Sequence, residues 1–218
     1  MPRKTKKWVI APSPGPHKKY ELIPLAVVLR DVLNVASTGS DAKKIIKAGE
    51  ILVDGRKRKD PGYTVGLFDV LYLPKTGEHY RGVPTQKGLQ LVKISADDAG
   101  KKICKIENKT VLKKGKLQLN LHDGRNILAD KNEYATGDSL LVQIPEMKIL
   151  EHIKLEKGAT GIVSKGVNSG KVGTVKEVKS AKAREAKKVS VDFDGEVEDV
   201  LVDRFFVLGK KEPAIKIA

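Results

Sequence analysis

Cysteine is almost missing from this chain of 218 residues: Cys104 stands alone, which excludes an internal disulfide and any zinc site built from several thiolates. Aromatic residues make up only 5%, so the cores must be assembled mainly from Val, Ile and Leu. No apolar run approaches the ~18 residues of a membrane-spanning helix, and no signal sequence with a hydrophobic centre precedes the first domain. A soluble, intracellular protein with no membrane partner is therefore expected. His17, His79, His122 and His152 are scattered, and none pairs with another His or with Cys at i,i+4, so no metal site is expected. Nucleotide hydrolysis is excluded at Gly166–Lys171. A phosphate-binding P-loop needs four residues between its first Gly and the Gly-Lys, followed by Ser or Thr, whereas only Val167, Asn168 and Ser169 intervene and Val172 follows. No Ser-His-Asp or Cys-His arrangement can be read from the chain, and Cys104 between Ile103 and Lys105 reads as a small core residue. No catalytic residue, cofactor or small-molecule substrate is predicted.

Positive charge is what the chain has in excess. A net charge of +15 with a pI near 9.7 makes a compact chain repel itself unless a polyanion binds it, and nucleic acid is the polyanion this points to. At this length the chain can hold two or three small domains, each with its own modest core.

The densest organisation lies in Pro24 to Leu73. Leu25, Val28, Leu29, Val32 and Ala36 recur at the spacing of an amphipathic helix, with Pro24 suited to a first helical position. Thr38-Gly39 makes a turn, Ser40 or Asp41 can cap a second helix, Ile45 and Ile46 face inward, and Gly49 sits where a C-terminal cap glycine belongs. A strand Ile51-Leu52-Val53 meets Asp54-Gly55, a dipeptide that favours a tight hairpin turn, and Arg56, Lys57, Arg58 and Lys59 run back. Lys43 and Lys47 share a helix face with Lys44 beside them. Like charges at i,i+4 repel by a few tenths of a kcal/mol, which implies a counter-charge outside the chain. Val65 to Leu73 reads as a strand that completes the unit, closed by Pro74.

Residues 1–20 form a basic arm with no acid, carrying Arg3, Lys4, Lys6, Lys7, Lys18 and Lys19 among Pro12, Pro14, Gly15 and Pro16. Such an arm orders on a phosphate surface, and Trp8 within it either stacks on a base or docks on the arm's own domain. From Thr76 to Pro145 strands are predicted at Gly88–Ile94, Lys101–Glu107, Leu117–Leu121, Ile127–Ala129 and Ser139–Ile144, with a hairpin turn at His122–Arg125. This pattern implies a small barrel or sandwich. Lys101, Lys102, Lys105, Lys109, Lys113, Lys114 and Lys116 face only Glu107, which reads as a second contact patch. Asp54 and Asp123 each precede Gly and are read as turn residues. The last third alternates Ile149, Glu151, Ile153 and Leu155. It then enters Lys157–Val178, where strands flank a Gly166–Gly170 loop bracketed by Lys165 and Lys171, and such glycines let backbone amides approach an anion. Ala181 to Lys188 continues the positive charge. Asp192, Asp194, Glu196, Glu198, Asp199 and Asp203 form an acidic run expected to face away from phosphate, toward solvent or a basic protein neighbour.

These residues carry a resemblance. Pro24–Leu73 resembles an S-four-type RNA-binding domain, and Lys157–Val178, with Gly166, Gly170, Gly173 and Val175, resembles a KOW motif. The order of modules, with GPHK at 15–18, LPKTGEHYR at 73–81, KVGTV at 171–175 and VLVDRFFVLGKK at 200–211, resembles the S-four-e family of archaeal and eukaryotic small-subunit ribosomal proteins. A stop soon after Gly209 is similar to the archaeal form. The resemblance implies an α+β, mostly β protein. Its parts would be an arm (1–20), a helix-helix-hairpin RNA-binding domain (21–74), a central β-barrel or sandwich-like domain (75–146), an SH3-like KOW barrel (147–209) and a tail (210–218). It further implies a monomer within the cytoplasmic ribosome, bound to small-subunit ribosomal RNA and neighbouring ribosomal proteins. The expected RNA contacts are Arg3, Lys4, Lys6, Lys7, Trp8, Lys18, Lys19, Lys43, Lys44, Lys47, Arg56, Lys57, Arg58, Lys59, Lys165 and Lys171. An RNA-modifying enzyme or a transcription elongation factor built from the same modules is the alternative.

Overall fold

The computed structural model describes residues 9–18, 21–129, 132–179 and 186–217, apart from the side chain of residue 114. Arg3, Lys4, Lys6, Lys7, Trp8, Lys19 and most of the Ala181–Lys188 run lie outside the described residues, as does the Lys114 side chain. The architecture is mostly β, as expected. Strand β1 (Ile23–Pro24) leads into α1 (Leu25–Val27), which widens into a π-helical turn at Val28–Val32. Then come α2 (Gly39–Lys47), β2 (Leu52–Val53), β3 (Arg56–Lys57), β4 (Thr64–Val65) and β5 (Val70–Leu73). The middle holds β6 (Glu78–Thr85), β7 (Gly88–Ile94), a short α3 (Ala96–Ala99), β8 (Lys101–Val111), β9 (Leu117–Leu121), β10 (Asn126–Ala129), β11 (Ser139–Gln143) and β12 (Lys148–Ile153). Strands β13 (Thr160–Val163), β14 (Val172–Lys179), β15 (Lys188–Phe193), β16 (Glu196–Leu201) and β17 (Phe205–Gly209) close the chain.

Three five-stranded antiparallel sheets result, in the orders β3-β2-β5-β6-β7, β10-β9-β8-β11-β12 and β16-β15-β14-β13-β17, and β1 pairs with β4. The first sheet runs through residue 74: β5, from the helix-hairpin unit, pairs with β6 beyond Pro74. Strand β12, with its alternating Ile149 to Ile153, pairs with β11 of the central sheet.

Local detail departs from the sequence expectations in instructive places. Pro24 precedes the helix at φ −60°, ψ 140°, and the first helical residue is Leu25. The expected helix covers Leu25, Val28 and Leu29, which are buried, but Val32 is partly exposed and Ala36 lies past the helix end. Thr38, not Ser40 or Asp41, caps α2. Its Oγ1 accepts from the Asp41 backbone N–H at 3.2 Å and donates to the Asp41 carboxylate at 2.7 Å. Ile46 is fully buried, and Gly49 ends the helix at φ +73° as predicted. Asp54 (φ 49°) and Gly55 (φ 73°) form the two-residue turn that matches strand twist. Val65–Leu73 is not one strand: it breaks at Gly66–Asp69, where Phe68 takes φ 60° and buries its ring.

The cores are not confined to separate domains. The largest joins Leu67, Phe68 and Val83 to Ile103 and Leu141, and then to Val163, Val191, Phe205 and Phe206 of the last sheet. Arg81 is fully buried and donates to the backbone carbonyls of Asp98 (2.8 Å), Lys101 (2.8 Å) and Lys216 (3.0 Å), which pins the C-terminal tail to the middle of the molecule. Ile215 is buried beside it in the shared core.

Candidate nucleic-acid interface

Two populations of cations emerge when charge is placed on this fold. The first lies on α2 and the hairpin. Lys43, Lys44, Lys47, Arg56, Lys57 and Lys59 are all exposed, and none forms an ion pair with a described residue. Lys44 and Lys47 occupy the last turn of α2, where cations oppose the helix dipole. That position accounts for part of the clustering. It does not account for Lys43, or for the exposed cations of the returning strand. Arg58 differs from its neighbours: it is half-buried, with its guanidinium 4.2 Å from the centroid of Tyr63, and its buried Nε has no hydrogen-bond partner among the described residues. Stacking on the ring holds its fork in one orientation.

The expected arm and loop residues are spread more widely. Lys18 is exposed and pairs with Glu107 at 2.8 Å. Lys165 pairs with Glu21 at 2.5 Å, which ties the glycine loop to the start of the helix-hairpin unit. Lys171 stands 5.8 Å from the Phe193 ring. Gly166 (φ 98°) and Gly170 (φ 88°) take the left-handed conformation that a side chain disfavours. The structure therefore brings the α2 and hairpin cations together on one unit and places the Lys165–Lys171 loop apart from them, beside the β6–β7 turn.

The second population is interior. The expected patch at residues 101–116 is not a uniform solvated face: Lys102 is fully buried and Lys105 nearly so. The Lys102 ammonium sits among three carboxylates, Asp69 Oδ1 at 2.5 Å, Asp54 Oδ2 at 2.8 Å and Asp123 Oδ2 at 2.9 Å. Arg125 adds a second cation 2.6 Å from Asp54, and His17 Nε2 lies 2.6 Å from the other oxygen of Asp69. The remaining lone pairs are used as well, since Asp54 Oδ1 accepts from the Val70 N–H and Asp69 Oδ2 from the Gly66 N–H, both at 2.9 Å. Asp54 and Asp123 thus keep their turn positions and in addition bind Lys102. This ion cluster connects the arm, the hairpin unit and the central sheet. The His122 ring, edge-on to Phe206 at 4.9 Å, links it to the last sheet.

Electrostatics follow from that packing. Burial disfavours a charged Lys102, yet the three carboxylates raise its pKa well above the ordinary lysine value. Burial alone would raise Asp69, but Lys102 and His17 hold it well below the usual carboxylate range. For Asp123 burial is likewise outweighed, by Lys102 first, and its pKa is lowered. Asp54 goes the other way, pushed up by burial, with the neighbouring Asp69 adding to the shift. Burial lowers His122 to about 4, and the backbone N–H of Lys105 donates to its Nδ1 at 3.2 Å while Nε2 faces the Leu67 carbonyl at 3.3 Å. The neutral ring thus carries its proton on Nε2. Lys105, which donates to the Val202 carbonyl at 2.5 Å, is lowered by burial to about 8.

Cys104, His122 and Asp123 offer donor atoms within 4.8 Å of one another, the one such group among the described residues, but the set does not suit a metal ion. His122 Nδ1 already accepts a hydrogen bond, Asp123 Oδ2 already holds Lys102, and burial pushes the Cys104 thiol well above its ordinary pKa. A metal cation there would also meet the Lys102 ammonium. The expected acidic run is partly neutralised in place: Lys176 pairs with Asp192 at 2.9 Å and Lys179 with Asp199 at 2.7 Å, while Glu198 accepts from Asn168.

Sequence reasoning missed the interior cluster because its three carboxylates are 21, 33 and 48 residues from Lys102. The available signal was that Ile103, Cys104 and Ile106 make an apolar run around Lys102 and Lys105, unlike the lysines at 113–116.

Comparison with known proteins identifies relatives of this chain and of its fold. The model for Ribosomal family S4e matches residues 76–149, and that for the S4 domain matches residues 23–71. Small ribosomal subunit protein eS4 of Archaeoglobus fulgidus is 47% identical over 214 residues, 97% of this chain and 89% of its own length. The protein of the same name from Methanothermobacter thermautotrophicus is 43% identical over 213 residues, 97% of this chain and 88% of its own length. The crystal structure of the 30S ribosomal protein S4e from Thermoplasma acidophilum superimposes with a TM-score of 0.76 at 28% identity, covering 87% of this chain and 95% of that one.

Proposed function

Since the chain belongs to the S4e family of ribosomal proteins, we propose that it is a structural constituent of the small ribosomal subunit, held there by phosphate contacts to ribosomal RNA. The observation that carries the RNA-binding part is the set of exposed cations on α2 and the β2–β3 hairpin that lack partners among the described residues. Lys43, Lys44, Lys47, Arg56, Lys57 and Lys59 clamp backbone phosphates of folded RNA, Arg58 adds an oriented guanidinium, and the arm (Arg3, Lys4, Lys6, Lys7, Trp8, Lys18 and Lys19) holds a neighbouring segment. The loop bearing Lys165 and Lys171 makes a third contact. RNA shape supplies most of the selectivity, because the A-form major groove is too narrow for side chains to read and phosphate contacts position without specifying sequence.

The interior ion cluster serves this function indirectly, by fixing the angle between the surfaces that touch RNA. No chemistry is assigned to the protein. Its relatives are named as ribosomal proteins, which disfavours the modifying-enzyme and elongation-factor readings. As a ribosomal protein it works in the cytoplasm, as a monomer among neighbouring proteins of the subunit. Sedimentation of the endogenous protein tests the proposal. Co-migration with small subunits through a salt wash is expected, whereas co-migration with polymerase, or release to the top of the gradient, overturns it.

A further inference from the structure

Beside the glycine loop the surface is concave. A cleft of about 630 Å³ is walled by Glu21 and Leu22 from the start of the helix-hairpin unit, by Leu67, by Leu89 at the β6–β7 turn, and by Lys165 and Gly166 from the loop. Its volume falls within the range of about 300–1,000 Å³ common to small-molecule sites. A smaller cleft of about 400 Å³ is lined by Thr85, Gln86, Lys87, Gln90, Gly170 and Lys171, with Ser169. The two share Thr85, Gln86 and Ser169, so they adjoin.

The walls are held in register. A Cβ on Gly170 would come within 2.9 Å of the Pro84 carbonyl oxygen and of Thr85 Cα, so loop and turn touch backbone to backbone. The Lys165–Glu21 pair spans from the loop to the helix-hairpin unit. Among the described residues Glu21 is the one acid lining either cleft, against Lys87, Lys165 and Lys171. The larger cleft is floored by aliphatic side chains, Ile23, Leu67 and Leu89, while the smaller offers side-chain amides and ammonium groups.

A cleft with an aliphatic wall and polar groups at its rim, next to a cationic, amide-lined one, matches a nucleotide, flat base on one side and phosphate on the other. We infer that the paired clefts take one unpaired nucleotide of RNA, with its base in the larger cleft and its phosphate between Lys87 and Lys171. Gln86 and Gln90 then become RNA-contacting residues that charge counting overlooks. The inference rests on the ribosomal RNA reading above and gives the glycine loop a task that duplex clamping does not: it captures a base that has left its helix.

Binding of two probes to the full-length protein separates the possibilities. One is hexa-adenylate with a single 2-aminopurine, and the other is a fully paired twelve-base-pair RNA duplex. Leu22→Trp fills the larger cleft. It is expected to weaken hexa-adenylate binding at least about tenfold, the scale of one stacked base, and to leave duplex binding unchanged. The unsubstituted protein must also change the 2-aminopurine emission on binding, a readout that stands even if Leu22→Trp fails to fold. Unchanged emission, or equal hexa-adenylate affinity of the folded variant, overturns the cleft inference and leaves the duplex clamp standing. Failure of the unsubstituted protein to bind either RNA overturns both this inference and the function it rests on.

Discussion

Lys57 on the hairpin and Lys102 in the central sheet carry the same ammonium group in opposite settings. Lys57 is exposed beside Arg56 with no ion-pair partner among the described residues, while Lys102 is fully enclosed by the carboxylates of Asp54, Asp69 and Asp123. Solvation sets the difference. An exposed ammonium keeps its water and remains available to a phosphate, whereas a buried one has given up that water and must be matched inside the fold. Under the proposed function one region of the molecule uses positive charge to bind RNA, and the other holds the binding regions at fixed angles. Asp54 belongs to both: its backbone turns the hairpin that presents Arg56 and Lys57, and its carboxylate anchors that turn to the ion cluster.

Removing the interior cation is the largest perturbation. Lys102→Ala leaves three buried carboxylates facing one another and is expected to cost about 3–5 kcal/mol of stability, read by denaturant unfolding. A loss below about 1 kcal/mol would mean that the cluster does not hold the sheets together.

Acid supplies the next test. His122 has a folded-state pKa of about 4 against an ordinary value of 6.5, so the unfolded chain binds more protons between those values and stability falls as pH drops through that window. The expected loss is roughly 3 kcal/mol between neutrality and pH 4, and His122→Gln should flatten this part of the curve. Asp69 and Asp123, both lowered, add stability that persists to more acid conditions and is lost only as pH falls through their folded-state values, and Asp54, which is raised, opposes them. A stability curve that is flat from neutrality to pH 4 would contradict the neutral, buried His122.

At the surface the signs reverse. Arg56→Ala should leave the melting temperature alone and weaken binding to ribosomal RNA by about 1–2 kcal/mol, since a bridging guanidinium is removed from an exposed site. Loss of stability without loss of binding would assign Arg56 to the fold. The smallest effect is expected at Lys179→Ala, which removes an exposed, solvent-screened pair with Asp199 and should leave the denaturant midpoint unchanged within error.

What the sequence made legible divides along the same line. Features decided locally could be read: Gly49 at the helix end, the Asp54-Gly55 turn and strand β9 at Leu117–Leu121 depend on residue type and near neighbours. The exposure of Lys43, Lys44, Lys47, Arg56, Lys57 and Lys59 was legible for the same reason, because a run of cations on one short unit has few ways to be buried. Strand β6 was missed, since Gly82 and Pro84 interrupt its pattern. Pro84 is tolerated because β5 pairs only with residues 78–81, which leaves the proline with a partner strand on one side alone. Lys102 was read as part of a surface patch because its partners approach from three separate turns, and nothing at positions 101–105 announces them. Arg81 escaped notice likewise, its partners being backbone carbonyls that carry no sequence signal.

The salt dependence of ribosomal RNA binding tests most directly whether the exposed cations, and not the buried ones, engage phosphate. The variant carrying Lys43→Ala, Lys47→Ala, Arg56→Ala and Lys57→Ala should lower the steepness of log affinity against log salt by about three to four, near 0.9 for each phosphate that is no longer neutralised, with its melting temperature preserved. A slope equal to that of the unsubstituted protein would contradict the account.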